Sequence, residues 1–232
     1  MNTENVPPDV LRSLRRSAAL LLAGQLLYVA VTLFHADGPA NDHRAVFAEY
    51  AASGTWTAVH VAQFACMAIM LAGLLGLSFA LESRTTATAW TVRFGAASAV
   101  TAFALYGVVL AVDGVALKQA VNAWAGAPEA EKTARFAAAE AVRWLEWGAR
   151  SYQDFTLGLA VLLFAIAFVR TARVPRPVPS LMTLSAIAYF AQGWLAGVEG
   201  FSSAHTIAIV AAEILNATWM TWLLVFARRA HR

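Results

Sequence analysis

The sequence predicts an all-α integral membrane protein, a bundle of six transmembrane helices with amphipathic helices on the extracytoplasmic side. Of 232 residues, 59% are apolar and 13% charged, whereas a soluble domain is about half apolar and a quarter charged. The mean hydropathy is +0.59. Six stretches reach the roughly 20 mainly apolar residues that a spanning helix needs, so residues 1–232 form a single membrane domain. The predicted spans are 16–35, 57–81, 94–117, 153–170, 180–199 and 205–227.

The first span is predicted to be an uncleaved helix. Arg12, Arg15 and Arg16 precede it, as they would precede a secretory signal. The apolar run is too long for the core of a signal peptide, and it lacks a convincing small-residue cleavage site. A turn over 36–41 follows, and Asn41 is expected to cap a short amphipathic helix before the second span.

The long connection after the third span is expected to hold a second amphipathic helix. Pro128 predicts its start, and it runs into the fourth span. A straight helix from 129 to 170 would be about 60 Å long, so we expect a bend near 148–152. Three prolines in 170–179 stop the fourth span and separate it from the fifth.

The orientation follows from the distribution of Lys and Arg. With a cytoplasmic N-terminus, the segments on that side carry 11 of the 17 basic residues, which fits the enrichment of basic residues in cytoplasmic loops. Both termini are therefore predicted to be cytoplasmic. The basic residues form no stripe, which excludes nucleic-acid binding. The single cysteine, Cys66, lies in an apolar run, which excludes a disulfide framework.

Polar side chains recur at helical spacing within the predicted spans. A charge inside the bilayer costs about 2.5–3.5 kcal/mol, and lipid cannot hydrogen-bond it, so these groups are expected to face one another. Nearly all fall in the outer half of the bilayer. We therefore expect an outward-opening pocket lined with aromatic rings. The predicted substrate-binding residues are Gln63, Tyr106, Glu146, Arg150, Asp154, Tyr189, Gln192, Trp194 and Trp219.

Structural roles are an alternative for several polar residues. Side chains between transmembrane helices often serve only as interhelical contacts. This interpretation applies to Gln25, Thr32, Ser185 and Asn216. A second set is interpreted as membrane-interface anchors: His35, Trp144, Trp147 and Tyr152. The column of Glu146, Arg150 and Asp154 either belongs to the site or forms a salt-bridge ladder in which Arg150 neutralises both carboxylates.

Acid/base chemistry on a lipophilic, terpenoid-like substrate is the favoured function. The predicted catalytic residues are Glu213, Asp113, Glu199, His60 and His205. A protonated carboxyl group in an aromatic cavity can protonate an alkene or epoxide and so start a cyclisation or isomerisation. Glu213 or Asp113 would be the acid, and His60, His205 or Glu199 would accept the final proton. Small integral membrane terpene cyclases are similar in size and composition.

Other functions remain open. No cofactor is required by the favoured function, but His60 and His205 could ligate a haem, or a divalent metal together with Asp113 or Glu199. A small-solute transporter and a non-enzymatic membrane protein are further alternatives, although the two halves show no inverted repeat. The expected partners are the lipid bilayer and a lipophilic small molecule, and the oligomeric state is undetermined.

Three segments together resemble a family of six-span integral membrane proteins of high-GC bacteria. They are NDHRAVFAEY at 41–50, VRWLEWGAR at 142–150, and the stretch at 192–206 that contains QGW, EGFS and HT. The resemblance extends over the whole chain. It implies a bacterial inner-membrane location and the same helical layout, and it brings no activity or catalytic residues to transfer.

Overall fold

The computed structural model describes residues 6–82 and 85–229. Within these ranges all regular secondary structure is helical. In chain order these are α1 (Pro8–Thr32), α2 (His43–Ala52), α3 (Trp56–Ala80), α4 (Thr86–Leu110), a π-helix (Ala111–Leu117), α5 (Lys118–Ala125), α6 (Glu129–Thr171), α7 (Pro177–Glu199) and α8 (Ser203–Arg229). Arg84 and Arg232, which entered the charge count for the orientation, lie outside the described residues.

Six stretches of helix are long and apolar enough to cross a membrane: α1, α3, α4 through α5, α6, α7 and α8. This confirms the prediction of an all-helical chain with six candidate spans, as expected of a multi-pass membrane protein. The first span differs in its boundaries, because α1 already begins at Pro8 and ends at Thr32. His35 therefore lies in the turn after α1. Helix α6 is continuous over 43 residues, so the bend expected near 148–152 does not interrupt it.

The two ends of the bundle differ in structure. The capped end, as we call it, carries α2, α5 and the first turns of α6, and the terminal end carries the start of α1 and the end of α8. A separate apolar core forms at the capped end. In it Phe47, Trp124 and Phe136 pack against one another with ring centroids 5.5–6.4 Å apart. The capped end is thus a packed layer over the bundle.

The predicted cap of α2 is displaced by one residue. The Asp42 carboxylate accepts a hydrogen bond from the backbone N–H of Ala45 at 3.1 Å, so Asp42 is the N-cap. Asn41 instead has a left-handed backbone with φ of 57°. Its Nδ2 donates to the carbonyl of Glu199 at 2.7 Å. Asn41 therefore joins the loop before α2 to the end of α7.

Apolar side chains fill the bundle below the capped end. The main core is continuous, and its largest fully buried members include Leu14, Leu77, Phe164, Phe168, Met182 and Leu223. Helix α6 packs along both α4 and α7, while α1 packs along α3 and α8. The polar groups described below therefore lie between this core and the capped layer.

Lys118 connects α5 to the end of α2, and its loss should loosen α2. The Lys118 ammonium donates to the carbonyls of Ala51 and Ser53, at 3.0 Å each, and to that of Tyr50. Hydrogen bonds from a charged donor contribute about 1.5–3 kcal/mol. In Lys118→Met, amide exchange over 43–52 measured by mass spectrometry should accelerate on the order of tenfold or more.

Lys132→Met provides the matched control for this prediction. The Lys132 ammonium donates in the same way to the carbonyls of Trp124 and Ala125, at 3.1 and 2.9 Å, at the end of α5. Its loss should leave exchange over 43–52 unchanged. Equal exchange of α2 in the wild type and in Lys118→Met would show that Lys118 does not hold this helix.

Candidate functional site

Three titratable side chains from different elements meet at the capped end. They are His35 in the turn after α1, His60 in the second turn of α3, and Asp113 in the π-helix. His60 Nε2 lies 3.0 Å from Asp113 Oδ2, and His35 Nε2 lies 3.8 Å from the same oxygen. The three atoms lie within 4.8 Å of one another. We call His35, His60 and Asp113 the capped-end cluster.

The local sequence explains how Asp113 reaches the two histidines. A π-helical turn contains an extra residue and disturbs the regular pairing of backbone carbonyls. The indole N–H of Trp56 is shared between the carbonyls of Asp113 and Gly114, at 3.3 and 3.1 Å. A Cβ at position 114 would lie 3.0 Å from the His60 ring, so glycine allows this close approach without displacing the ring. The π-helix, Trp56 and Gly114 together place Asp113 against His60.

The hydrogen bonds of His60 require two protons. His60 Nδ1 lies 2.7 Å from the carbonyl oxygen of Trp56, which can only accept, so Nδ1 carries a hydrogen. The contact between His60 Nε2 and Asp113 Oδ2 needs a second proton, on the imidazole or on the carboxyl group. The pair thus holds one proton more than a neutral imidazole beside a carboxylate.

Aromatic rings enclose the capped-end cluster. The Trp56 ring lies 4.6 Å from the His60 ring and 5.0 Å from the His35 ring, between centroids. Tyr50 packs on Trp56 at 4.3 Å, and both residues are buried. Burial raises the pKa of the Tyr50 phenol well above its ordinary value, although the charge of Arg143 opposes this. Tyr50 is therefore a neutral wall of the cluster.

A buried ion pair on α6 lies beside the cluster. Arg143 Nη1 donates to Glu146 Oε2 at 2.7 Å, and its guanidinium group lies between the rings of Tyr50 and Phe201, 5.4 and 4.6 Å from their centroids. The prediction that Arg150 pairs with Glu146 needs correction, because Glu146 forms its ion pair with Arg143. Arg143 lies one turn before Glu146 on the same face of α6. The two charges compensate each other beside Asp113.

A second polar group lies deeper in the bundle, around Arg150. Arg150 Nε donates to Asp154 Oδ2 at 3.2 Å, and Asp154 is fully buried. Its other oxygen, Oδ1, has no hydrogen-bond partner in the part of the chain that the structure describes. The hydroxyls of Tyr28 and Tyr106 lie 3.3 Å apart and close to the guanidinium group. We call these four residues the interior network.

Glu213 on α8 adjoins the interior network. Arg150 is near enough for its charge to act on the Glu213 carboxyl group, and among the described residues Glu213 Oε2 is buried without a partner. One turn further along α8, Asn216 donates to the Tyr189 hydroxyl at 2.7 Å and accepts from the Trp219 indole at 3.0 Å. Those three side chains satisfy one another, whereas Glu213 retains a free oxygen.

An open, shallow depression of about 580 Å³ lies on the outer surface of α8, beginning one turn beyond Glu213. Ala217 and Thr221 follow Glu213 by four and eight residues, which places them on adjoining positions of one helix face. The lining residues are Ala217, Thr218, Thr221, Trp222 and Val225. Glu213 therefore lies one helical turn from Ala217, the lining residue nearest to it in sequence.

Two predicted substrate-binding residues make contacts between helices. Gln63 donates from Nε2 to the Thr32 hydroxyl at 3.1 Å. Gln192 donates from Nε2 to the carbonyl of Ala208 at 3.3 Å. Each contact joins two neighbouring helices, so interhelical packing accounts for both residues.

Two other predicted site residues lie outside the interior of the bundle. Trp194 is 65% exposed, so the prediction that it lines an interior pocket is wrong. Its side chain points away from the helices packed against α7. Glu199 is also exposed, and its Oε2 accepts a hydrogen bond from the Ser202 hydroxyl at 3.0 Å. Glu199 thereby closes the turn between α7 and α8.

The second predicted histidine ligand lies apart from the capped-end cluster. His205 stacks on Phe201 with ring centroids 5.1 Å apart, and its Nε2 is buried without a partner among the described residues. The ligand set expected from the sequence, His60 with His205, is therefore not the set that the fold brings together. His35 occupies that place beside His60 and Asp113.

Sequence reasoning missed three residues of the site. His35 was interpreted as an interface anchor, although it continues the face of α1 that carries Tyr28 and Thr32. That spacing is a signal which could have found it. Tyr50 and Arg143 belong to amphipathic helices, and no pattern in their own segments distinguishes them from surface residues. Their roles depend on the packing of α2 against α5 and of α6 against the π-helix.

No protein-family model, curated protein or solved structure matches this chain. The resemblance to a family of six-span bacterial membrane proteins therefore stays a prediction. The geometry of the two polar groups is the basis for the function proposed below.

Proposed function

We propose that the chain is an acid/base enzyme of the bacterial inner membrane, with both termini cytoplasmic and the capped end outside. Glu213 is the acid that starts a cyclisation or isomerisation of a lipophilic, terpenoid-like substrate. The observation that carries this proposal is that Glu213 Oε2 is buried without a hydrogen-bond partner among the described residues, one helical turn from the surface depression on α8. An unsatisfied carboxyl oxygen at that depth is suited to holding a proton or a polar group of a substrate.

The surface of the bundle supports a lipophilic substrate that arrives from the bilayer. Large apolar side chains are exposed on the outside of the spans, among them Phe79 at 74% and Ile207 at 71%, as expected for lipid contact. The depression on α8 lies on this surface. A molecule held there would lie one helical turn from Glu213 and would not need to cross the capped layer.

The chemistry needs no external oxidant or co-reactant. The Glu213 O–H transfers its proton to an alkene carbon, or to an epoxide oxygen whose C–O bond then breaks, and a carbocation forms. The π electrons of the substrate close a ring or the double bond shifts, and the cation then loses a proton to the Glu213 carboxylate. Arg150, held by Asp154, stabilises this carboxylate between the two steps. The rings of Tyr189 and Trp219, which both bond Asn216 one turn from Glu213, would stabilise the cation.

The packing of the terminal half favours an enzyme over a transporter. Side chains such as Leu77, Phe168 and Leu223 are at most 1% exposed and fill this half of the bundle. Among the described residues of α6, Asp154 is the last buried polar side chain before the terminal end, so this helix offers no buried polar path to that end. A transporter needs access from both sides of its site.

Solvent deuterium provides the test of the proposal. The full chain in detergent is incubated in heavy water with squalene or with its terminal epoxide, and products are analysed by gas chromatography and mass spectrometry. The wild type should form an isomer of the probe that carries one deuterium bound to carbon when the alkene is protonated. Glu213→Gln should be slower by about 100-fold or more, because general acids contribute at least that much.

An exposed acid at the capped end serves as the control. Glu129→Gln, at the exposed start of α6, should retain the wild-type rate. Equal rates for Glu213→Gln and the wild type would remove Glu213 from the mechanism. If the wild type forms no isomeric product from either probe, the proposed reaction on this substrate class is wrong.

A further inference from the structure

We infer that the capped-end cluster is a binding site for a divalent transition-metal ion, with zinc as its best-fitting occupant. His35 Nε2, His60 Nε2 and an oxygen of Asp113 would be its three ligands. Two imidazole nitrogens and one carboxylate are a ligand set found at catalytic zinc and non-haem iron sites. The inference goes beyond the proposed acid chemistry of Glu213 and does not depend on it.

The distances in the cluster are close to those of a metal site. With zinc–ligand bonds of about 2.0–2.1 Å, two ligands of a tetrahedral site lie about 3.3–3.4 Å apart. The observed contacts to Asp113 Oδ2 are 3.0 Å from His60 and 3.8 Å from His35, which bracket that value. Small rotations of the side chains would therefore bring the three atoms around one ion.

His60 is already oriented as a metal ligand. Metal-binding histidines usually donate their other ring N–H to a carbonyl or carboxylate, which fixes the tautomer and the ring. The Nδ1–H of His60 makes such a bond to the Trp56 carbonyl at 2.7 Å. This leaves Nε2 directed at Asp113. The proton now shared between His60 and Asp113 would be released when the ion binds.

An independent observation at Asp113 points to a missing ligand. Asp113 is 7% exposed, and within the described ranges its Oδ1 is buried and accepts no hydrogen bond. A buried carboxylate oxygen without a donor costs free energy. A metal ion could bind this oxygen as well, or could hold a water molecule that donates to it. The orphaned oxygen distinguishes the cluster from a simple histidine–aspartate pair.

The surroundings of the cluster favour a cation of moderate charge. One carboxylate and two neutral imidazoles leave a divalent ion with one net positive charge. Tyr50 is neutral, and Arg143 is neutralised by its ion pair with Glu146. Arg143 and Glu146 also interact electrostatically with Asp113 and with Tyr50. Three protein ligands leave at least one coordination position open, as in a catalytic rather than a structural site.

Cobalt and zinc titrations test the inference. The full chain is purified in detergent, stripped with a chelator and titrated with Co²⁺, while its visible absorption is recorded. Zinc affinity is then measured by competition with a chromophoric chelator. We expect one equivalent of Co²⁺ with the intense bands of a tetrahedral ion. Affinity should rise as the pH is raised, by up to about tenfold per unit while one proton is displaced.

Variants of the three ligands should weaken binding in proportion to their roles. Loss of a group that only orients a ligand costs about 10–100-fold in affinity. His60→Ala and Asp113→Asn remove a ligand itself, so each should cost about 100-fold or more. His35→Ala should also weaken binding by at least about tenfold. It alters a partly exposed turn, so it remains informative if the buried variants fail to fold.

His43→Ala is the matched control. His43 Nδ1 lies 3.0 Å from Glu140 Oε1 at the same end of the bundle. Among the described residues, no third metal-ligating side chain joins this pair. Its loss should leave the affinity unchanged. Glu213→Gln should also bind Co²⁺ normally, which separates this test from that of the proposed enzyme. No stoichiometric binding by the wild type, or equal binding by folded His35→Ala, would overturn the metal site.

Discussion

Arg150→Met should lower the free energy of unfolding by about 3–5 kcal/mol, the cost of removing one partner from a buried ion pair. Asp154 is fully buried and is held by Arg150 Nε at 3.2 Å. Without this cation its negative charge has no counter-ion nearby on α6. The measurement is unfolding in mixed micelles of a mild and a denaturing detergent.

Two controls separate the buried charge from a general effect of the substitution. Arg150→Met combined with Asp154→Leu removes both charges, and replacement of a buried pair by apolar side chains is often neutral or stabilising. The double variant should therefore recover most of the lost stability. Arg135→Met breaks the exposed pair with Glu131, whose side chains are 53% and 52% exposed, and should change stability by less than about 1 kcal/mol. A loss in Arg150→Met no larger than this would contradict the prediction.

Gly73→Leu should separate α1 from α3 and destabilise the bundle by about 3 kcal/mol. A Cβ at position 73 would lie 2.6 Å from Leu21 Cγ and 3.0 Å from the Leu21 backbone nitrogen. The side chain of Leu21 can rotate, but its backbone can move only with α1. The same close approach recurs at Gly24, where a Cβ would lie 3.0 Å from the carbonyl of Cys66. Small residues allow such contacts between membrane helices.

Gly148→Leu is the matched control for the α1–α3 contact. Gly148 lies within α6, and a Cβ there would meet no atom within 4 Å. Leucine has the higher helix propensity by up to about 1 kcal/mol, so this variant should be neutral or slightly more stable. The melting temperature in detergent should fall on the order of 10 °C in Gly73→Leu only. Equal melting temperatures for both variants would show that α1 and α3 tolerate a wider separation.

The candidate spans could be predicted because their signal is local. A run of apolar residues predicts a spanning helix whatever its neighbours are, and α3, α7 and α8 begin within three residues of their predicted starts. The limits of α1 were less accurate, because the polar first two turns, with Asp9, Arg12 and Arg15, can be helical without being apolar. His60, Asp113 and Glu213 could also be identified, since each is conspicuous within an apolar run.

Their partners could not be predicted, because pairing depends on which helices are neighbours and how each is rotated about its axis. His60 and Asp113 were both expected in the site, but a π-helical turn determines that they meet. His205 was the histidine expected beside His60, yet His35 is the one that reaches the cluster. Trp194 belongs to an apolar helix and could face either way, and the packing of α7 turns it outward.

The sequence by itself therefore determined the class of the protein, its six apolar helices and the set of polar residues that need partners. Hydrophobicity and helical period are sums over neighbouring residues, so no knowledge of the fold is needed to read them. The tertiary structure alone decided that Glu146 pairs with Arg143, that Glu213 keeps a free oxygen, and that His35 joins His60 and Asp113. These contacts depend on the relative positions of the helices to within about an ångström, and helix packing sets those positions.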